Sequence, residues 1–163
     1  MIRPAQTSDA LVIAEIYNYY ILNSHATFET EPLDGQEMEA RIKRVQEELG
    51  LPWNVLEVDS TIVGYAYATQ WKARAAYSRT TETSVYLDKS QFGKGYGSRL
   101  YSDLLMHLRK EGYHAIIGGI SLPNEGSIKL HEKLGFEKVG VLHQVGYKFD
   151  RWIDVGYWEL LLK

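Results

Sequence analysis

The sequence predicts a mixed α/β fold, an α+β sandwich in which one central sheet carries helices on its faces. Three observations predict it. Strand-like and amphipathic helical segments follow one another as strand, two helices, three strands, helix, strand, helix, two strands. Hydrophobic residues make up 45% of 163 positions, enough apolar side chain for one core of ordinary size. No low-complexity run, internal repeat or Ser/Pro-rich linker divides the chain, so residues 1–163 are expected to form a single domain.

Each element has its own signal. Ile2-Arg3-Pro4 reads as a short edge strand, and Thr7-Ser8-Asp9 offers N-caps to a helix whose apolar face holds Ala10, Ile13, Ala14, Tyr17 and Ile21. Past a turn at Pro32–Gly35, the segment from Gln36 to Leu49 sets Met38, Ile42, Val45 and Leu49 on one helical face before Gly50 and Pro52 stop it. Trp53–Asp59 and Thr61–Trp71 form a hairpin around Asp59-Ser60, and Thr80–Leu87 is a strand by its β-branched and aromatic content. From Gly97 to Gly112 the period becomes helical, with Leu100, Leu104, Leu105 and Leu108 on one stripe. His114–Leu122 reads as a buried strand, and Asn124 caps a short helix carrying Ser127, Leu130, His131 and Leu134, closed by Gly135. Phe136–Lys148 and Trp152–Leu162 are the last two strands.

Composition excludes several functions. A net charge of -3 with scattered basic residues lacks the footprint of a nucleic-acid binder, so small molecules are the expected partners. No apolar run is long enough to span a membrane and the first residues lack a signal peptide's apolar stretch, which predicts a cytoplasmic protein without a membrane partner. With no cysteine, there is no disulfide, Cys-ligated zinc or cysteine-borne intermediate. His25, His107, His114, His131 and His143 show no ligand spacing, so no metal is expected.

The stretch "DKSQFGKGYGSRL" brings Gly93, Gly95 and Gly97 to the start of a helix. A Walker A loop would need Gly-Lys-Ser/Thr at its end, and Lys94 lies between glycines; a Rossmann fingerprint would need wider glycine spacing after the first strand. What survives is a strand, a short loop and a helix N-terminus with free N–H groups, which is an anion site when no Cβ obstructs the backbone. On spacing alone the glycines equally fit a tight strand-to-helix connection.

Together with "LPNEGSIKLHEKLGF" some 30 residues later, this stretch resembles the GNAT superfamily of acyl-CoA-dependent N-acetyltransferases, whose pattern is Arg/Gln-x-x-Gly-x-Gly/Ala followed by Asn-x-x-Ala/Ser-x-x-Leu-Tyr/His-x-Lys-x-Gly-Phe/Tyr. "IRPA", "ATFETEP", "WKARAAYSRTTETSVYL" and "GYKFDRWIDVGYWEL" extend the similarity to the phosphinothricin N-acetyltransferase group over nearly the whole chain. The resemblance implies the GNAT fold, a mixed, mostly antiparallel sheet of about six or seven strands with about four helices. It also implies acetyl-CoA as co-substrate, a small amino acid-like amine of phosphinothricin or methionine sulfoximine type as acceptor, and a homodimer. Two departures stand out: Phe92 occupies the Arg/Gln position, and Ser121 stands where the group commonly has glycine.

Acetyl transfer from a thioester to an amine needs a proton acceptor, a stabilised carbonyl oxygen and a protonated leaving thiolate. With no cysteine to carry the acyl group, direct attack in a ternary complex is the economical mechanism. Read from the residues, Glu82 is either a solvated edge-strand carboxylate or a base; the resemblance makes it the catalytic glutamate. His131 reads as a core histidine, and the resemblance places it in the active site as acid or base. For the cofactor, the resemblance implies Val85, Tyr86 and Leu87 along the pantetheine arm, Gly93, Lys94, Gly95, Tyr96, Gly97 and Ser98 around the pyrophosphate, and Asn124 and Lys133 further along. For the acceptor it implies Phe28, Glu29, Lys72, Arg74, Tyr77 and Ser121. Lys72 and Arg74 are otherwise solvated loop charges, able to pair with a carboxylate or phosphinate.

Overall fold

The computed structural model describes residues 1–163. β1 (Ile2–Pro4) leads through a single turn at Thr7–Asp9 into α1 (Ala10–Asn23). Asp9 does not cap the helix in the expected way. Its carboxylate takes the Arg3 guanidinium at 2.7 and 3.0 Å and the Gln6 N–H at 2.8 Å, tying β1 to the start of α1. α2 (Gly35–Lys43) opens on a reciprocal capping box, Glu37 N–H to Asp34 at 2.8 Å and Asp34 N–H to Glu37 at 3.2 Å. The single helix expected through Leu49 instead widens into a π-turn over Arg44–Glu48, where the Val45 carbonyl accepts from Leu51 N–H at 2.9 Å and turns the chain toward the sheet.

β2 (Trp53–Val58) and β3 (Thr61–Gln70) form the expected hairpin, with Asp59 and Ser60 both left-handed at φ 48° and 62°, the geometry that matches the twist of the flanking strands. β4 (Thr80–Leu87), α3 (Tyr96–Lys110), β5 (Ala115–Ser121), α4 (Glu125–Lys133), β6 (Glu137–Lys148) and β7 (Arg151–Leu161) complete the chain. The sheet order is β1-β2-β3-β4-β5-β7-β6, so β7 inserts between β5 and β6, and only the β4–β5 pair is parallel. This is the mixed, mostly antiparallel seven-stranded sheet with four α-helices that the sequence implied.

Strand alternation assigns the faces. Tyr86 packs edge-on against Tyr17 and Tyr20 of α1, whereas Thr83 bonds Tyr101 of α3, so α1 and α2 cover one face and α3 and α4 the other. Ile13, Ile21, Met38 and Ile42 are sealed on the first side, and Leu100, Leu104, Leu108 and Ile116 on the second. No helix is long and apolar enough to cross a membrane.

Candidate active site

The site originates in a defect of the sheet. β4 and β5 pair only at Thr80–Ala115, Thr81–Ile116 and Glu82–Ile117, although β4 continues to Leu87 and β5 to Ser121. Beyond Glu82 the two strands splay, and a cleft of about 490 Å³ opens between Thr83–Leu87 and Gly119–Ser121. Its far wall is built by Asn124, Gly126, Ser127, Leu130 and His131, and its rim by Phe92, Gly93 and Gly97. Main-chain groups on the open edge of a strand have no ladder partner and are available to an extended amide-bearing chain. At the end of that edge the Tyr20 hydroxyl engages Leu87 already, donating to its carbonyl at 2.5 Å and accepting its N–H at 3.3 Å.

The glycine turn lies beside this cleft. Gly93 and Gly95 adopt φ 77° and 78°, and an added Cβ on either would face open space, so the backbone there is both left-handed and approachable. Gly95 caps α3 without any side-chain hydrogen bond, and the first intrahelical bond is Arg99 N–H to Gly95 at 3.2 Å, which leaves the N–H groups of Tyr96, Gly97 and Ser98 free. Among the cofactor positions named from sequence, Val85, Tyr86, Leu87, Gly93, Gly97 and Asn124 line the cleft, while Lys94, Gly95, Tyr96 and Ser98 belong to the adjoining turn. Asn124 also caps α4, accepting Ser127 N–H at 3.1 Å. Lys133 is exposed at the end of α4 and does not reach the cleft wall. Phe92 is 53% exposed on the rim, so the Arg/Gln position presents an aromatic ring with no ionic partner.

Glu82 and His131 sit on opposite faces of the sheet at the apex of the splay. Gly119 lies under Glu82, whose Oε1 would stand 3.2 Å from a Cβ there, and Gly118 lies under His131, whose Nε2 would stand 2.6 Å from a Cβ there. Successive residues of β5 face opposite ways, which separates the two side chains. Glu82 makes no hydrogen bond or ion pair, and burial alone pushes its carboxyl above the usual range. Tyr157 shares the surface of Gly119 with it, and burial and then the Glu82 charge raise the Tyr157 hydroxyl.

His131 is fixed at both nitrogens. Nδ1 lies 2.7 Å from the Ser127 carbonyl, which can only accept, so Nδ1 carries the proton and Nε2 faces the Tyr101 hydroxyl at 3.1 Å. Tyr101 in turn lies 2.6 Å from Thr83 Oγ1, on the cleft wall. Burial lowers the His131 pKa against the opposing Ser127 bond, which keeps the ring neutral and Nε2 an acceptor. Sequence reasoning missed Tyr101 and Thr83. Tyr101 stands beside Leu100 on an apolar helical stripe and carries no signal separating it from core.

The acceptor positions divide. Lys72, Arg74 and Tyr77 are exposed in the segment between β3 and β4, and neither cation has an ionic partner. Lys72 Nζ stands 5.5 Å from the Trp71 ring and 5.8 Å from Tyr77, and Trp71 meets Tyr157 edge-on at 5.8 Å, which connects this cluster to the Glu82 face. Glu29 is clamped by Arg41 at 2.5 and 2.8 Å and by the Tyr17 hydroxyl; the Arg41 bonds hold its carboxyl below the usual range. The outer end of the Phe28 ring lies against Gly146, where even a methyl group would overlap it. Ser121 lines the β4–β5 cleft, but its hydroxyl donates to the His25 carbonyl and accepts from His25 Nδ1 at 3.0 Å.

The chain matches the model of the acetyltransferase (GNAT) domain over residues 2–156. It is 41% identical over 97% of its length to a phosphinothricin N-acetyltransferase of Streptomyces viridochromogenes, covering 85% of that protein. It is 35% identical over 99% of its length to an L-methionine sulfoximine/L-methionine sulfone acetyltransferase of Salmonella typhimurium, covering 94% of it. The crystal structure of a GNAT phosphinothricin acetyltransferase from Sinorhizobium meliloti in complex with acetyl-CoA superposes with a TM-score of 0.95 at 34% identity, covering 99% of this chain and 88% of that one. Splayed sheet, unobstructed glycine turn and full-length similarity agree, and the chain belongs to the GNAT family of acetyltransferases.

Proposed function

We propose that residues 1–163 act as one acetyltransferase unit that moves the acetyl group of acetyl-CoA to the amine of a small amino acid of phosphinothricin or methionine sulfoximine type. The observation that carries this reading is the β4–β5 cleft, open from Glu82 onward, with the free N–H groups of α3 beside it. The acetyl-CoA complex of the Sinorhizobium relative and the named activities of the Streptomyces and Salmonella relatives support it. Gly93 to Ser98 hold the pyrophosphate through main-chain N–H groups, and Val85, Tyr86 and Leu87 run along the pantetheine arm with Asn124 opposite. The thioester then lies at the apex, between Glu82 on one face and Thr83 on the other.

Glu82 takes a proton from the substrate ammonium, and the freed amine nitrogen adds to the thioester carbon. Main-chain N–H groups of the open β4 edge stabilise the oxygen as charge builds on it. The C–S bond breaks with its electron pair on sulfur, and the second proton of the nitrogen passes to the thiolate. Tyr101 is committed as donor to His131, so the Thr83 hydroxyl donates to Tyr101, and the chain Thr83–Tyr101–His131 orders the sulfur-side wall of the cleft. Lys72 and Arg74 pair with the anionic groups of the acceptor, and Phe28, Glu29 and Tyr77 shape its site, with Ser121 at the edge.

The test is release of free CoA thiol from acetyl-CoA over a panel of phosphinothricin, methionine sulfoximine, methionine sulfone, ordinary amino acids and spermidine. The first three are expected to lead in kcat/KM. A spermidine-led order would overturn the substrate reading, and no turnover with any amine would overturn the transferase reading.

The same reading includes a homodimer through the terminal hairpin. Val139, Leu142, Val145, Tyr147, Phe149 and Trp152 are all about half exposed or more along β6 and β7, on the edge of the sheet opposite β1. A second copy of this chain offers a matching apolar edge, as a two-fold interface requires. Light scattering is expected to give twice the chain mass for the unmodified protein and the single-chain mass for a Val145→Asp, Trp152→Asp double variant; a single-chain mass for both rules the dimer out.

A further inference from the structure

We propose that Lys148 and Ser121 are positioning residues that hold the loop Ser24–Glu29 as the shared wall between acetyl-CoA and the acceptor. The proposal rests on the acetyltransferase reading of the Glu82 face. Lys148 is 4% exposed and forms no ion pair; its ammonium donates to the carbonyls of Ser24 and Thr27, each at 2.8 Å. A buried cation without a salt-bridge partner is a poor source of stability, since an apolar side chain of the same volume fills the space without desolvation. What an ammonium adds is direction, because it draws together two carbonyls of a loop that has no secondary structure of its own.

The same stretch is also secured from β5, at His25 between the two carbonyls that Lys148 holds. Ser121 both donates to and accepts from His25, a reciprocal pair that glycine at this position could not make. Inside the clasped stretch Ala26 lines the cofactor cleft, and just beyond Thr27 the Phe28 ring meets the backbone of Gly146 and Glu29 is locked by Arg41 and Tyr17. One short segment therefore contributes to the cofactor side through Ala26 and to the acceptor side through Phe28 and Glu29. The acceptor side has more of its wall in this loop, so loosening the loop affects the amine first.

Lys148→Met and Ser121→Ala are compared with the unmodified protein in steady-state kinetics with both substrates varied, and in amide hydrogen exchange. Each is expected to raise the acceptor KM by about ten-fold or more while the acetyl-CoA KM moves by less than about three-fold, with faster exchange confined to residues 24–29. Ser121→Thr keeps the hydroxyl and is expected to restore the acceptor KM. Equal rises in both KM values, an unchanged acceptor KM, or unaltered exchange in the loop would each overturn the proposal. If Lys148→Met fails to fold, the two Ser121 variants decide it. If the unmodified protein acetylates no amine, the proposed function falls, and exchange at residues 24–29 still decides whether the clasps hold the loop.

Discussion

Glu82→Gln is expected to lower kcat by about 10²- to 10⁴-fold, the usual worth of a positioned base, while acetyl-CoA binding is unchanged and the protein melts no lower than before. The three effects share one cause. Glu82 sits half-buried at the apex of the β4–β5 splay with no cation or donor, and burial raises its pKa. For activity, the carboxylate must be ionised to take the ammonium proton, so kcat/KM falls as pH drops through this raised pKa, above the ordinary carboxylate limb. For stability the sign is opposite. A folded pKa above the unfolded value means the folded state binds the proton more tightly, so stability present at low pH is lost as pH rises through the folded pKa. Glutamine carries no such penalty. Its variant should therefore match or slightly exceed the unmodified protein in melting temperature near neutrality, the difference shrinking as pH falls through the raised folded pKa and vanishing below about pH 4.5, the ordinary value. Isothermal titration with CoA, rate–pH profiles and melting curves check this. Retained turnover in Glu82→Gln would remove the base from the mechanism.

The second large effect separates two neighbouring glycines. Gly118→Ala is expected to cost about 1–3 kcal/mol of folding stability, because the new Cβ falls 2.6 Å from His131 Nε2 and 2.7 Å from its Cδ2. That ring cannot retreat: Nδ1 is bound to Ser127 at 2.7 Å, and Tyr101 and Phe136 press on it at centroid distances of 5.1 and 5.0 Å. Gly119→Ala meets instead the free end of Glu82 at 3.2 Å and the Tyr157 ring at 3.4 Å. A carboxylate without partners swings aside, so stability should change by only about 0.5 kcal/mol while kcat drops with the displaced base. Urea unfolding and initial rates on the pair read out both quantities. A destabilised Gly119→Ala beside a well-folded Gly118→Ala would show that the two faces have been assigned the wrong way round.

Much of the fold was legible because it is written in local periods. Thr80–Leu87 matches the observed strand end to end, and the alternation of Glu82, Ser84 and Tyr86 on one face follows from the pleat alone. The single helix read over Gln36–Leu49 was not so simple, since the switch to a π-turn at Arg44 depends on where Leu51 must enter the sheet. Register was out of reach as well. The residue at which β4 and β5 part, Glu82, depends on the pairing of two strands some 30 residues apart, and that parting creates the cleft, while the alternation of β5 sets Glu82 and His131 on opposite faces. Arg41, Tyr101 and Lys148 were invisible for a related reason. Each lies in an ordinary amphipathic or strand-like run, and only the folded chain brings it to Glu29, His131 or the Ser24–Glu29 loop.

The central claim is direct transfer between two substrates held together at the splayed strands. Initial rates measured over a grid of acetyl-CoA and methionine sulfoximine concentrations, with intact-mass analysis of protein incubated with acetyl-CoA alone, test it most directly. A ternary complex in a chain without cysteine predicts intersecting double-reciprocal lines and an unchanged protein mass. Parallel lines with an acetyl group retained on the protein would contradict it.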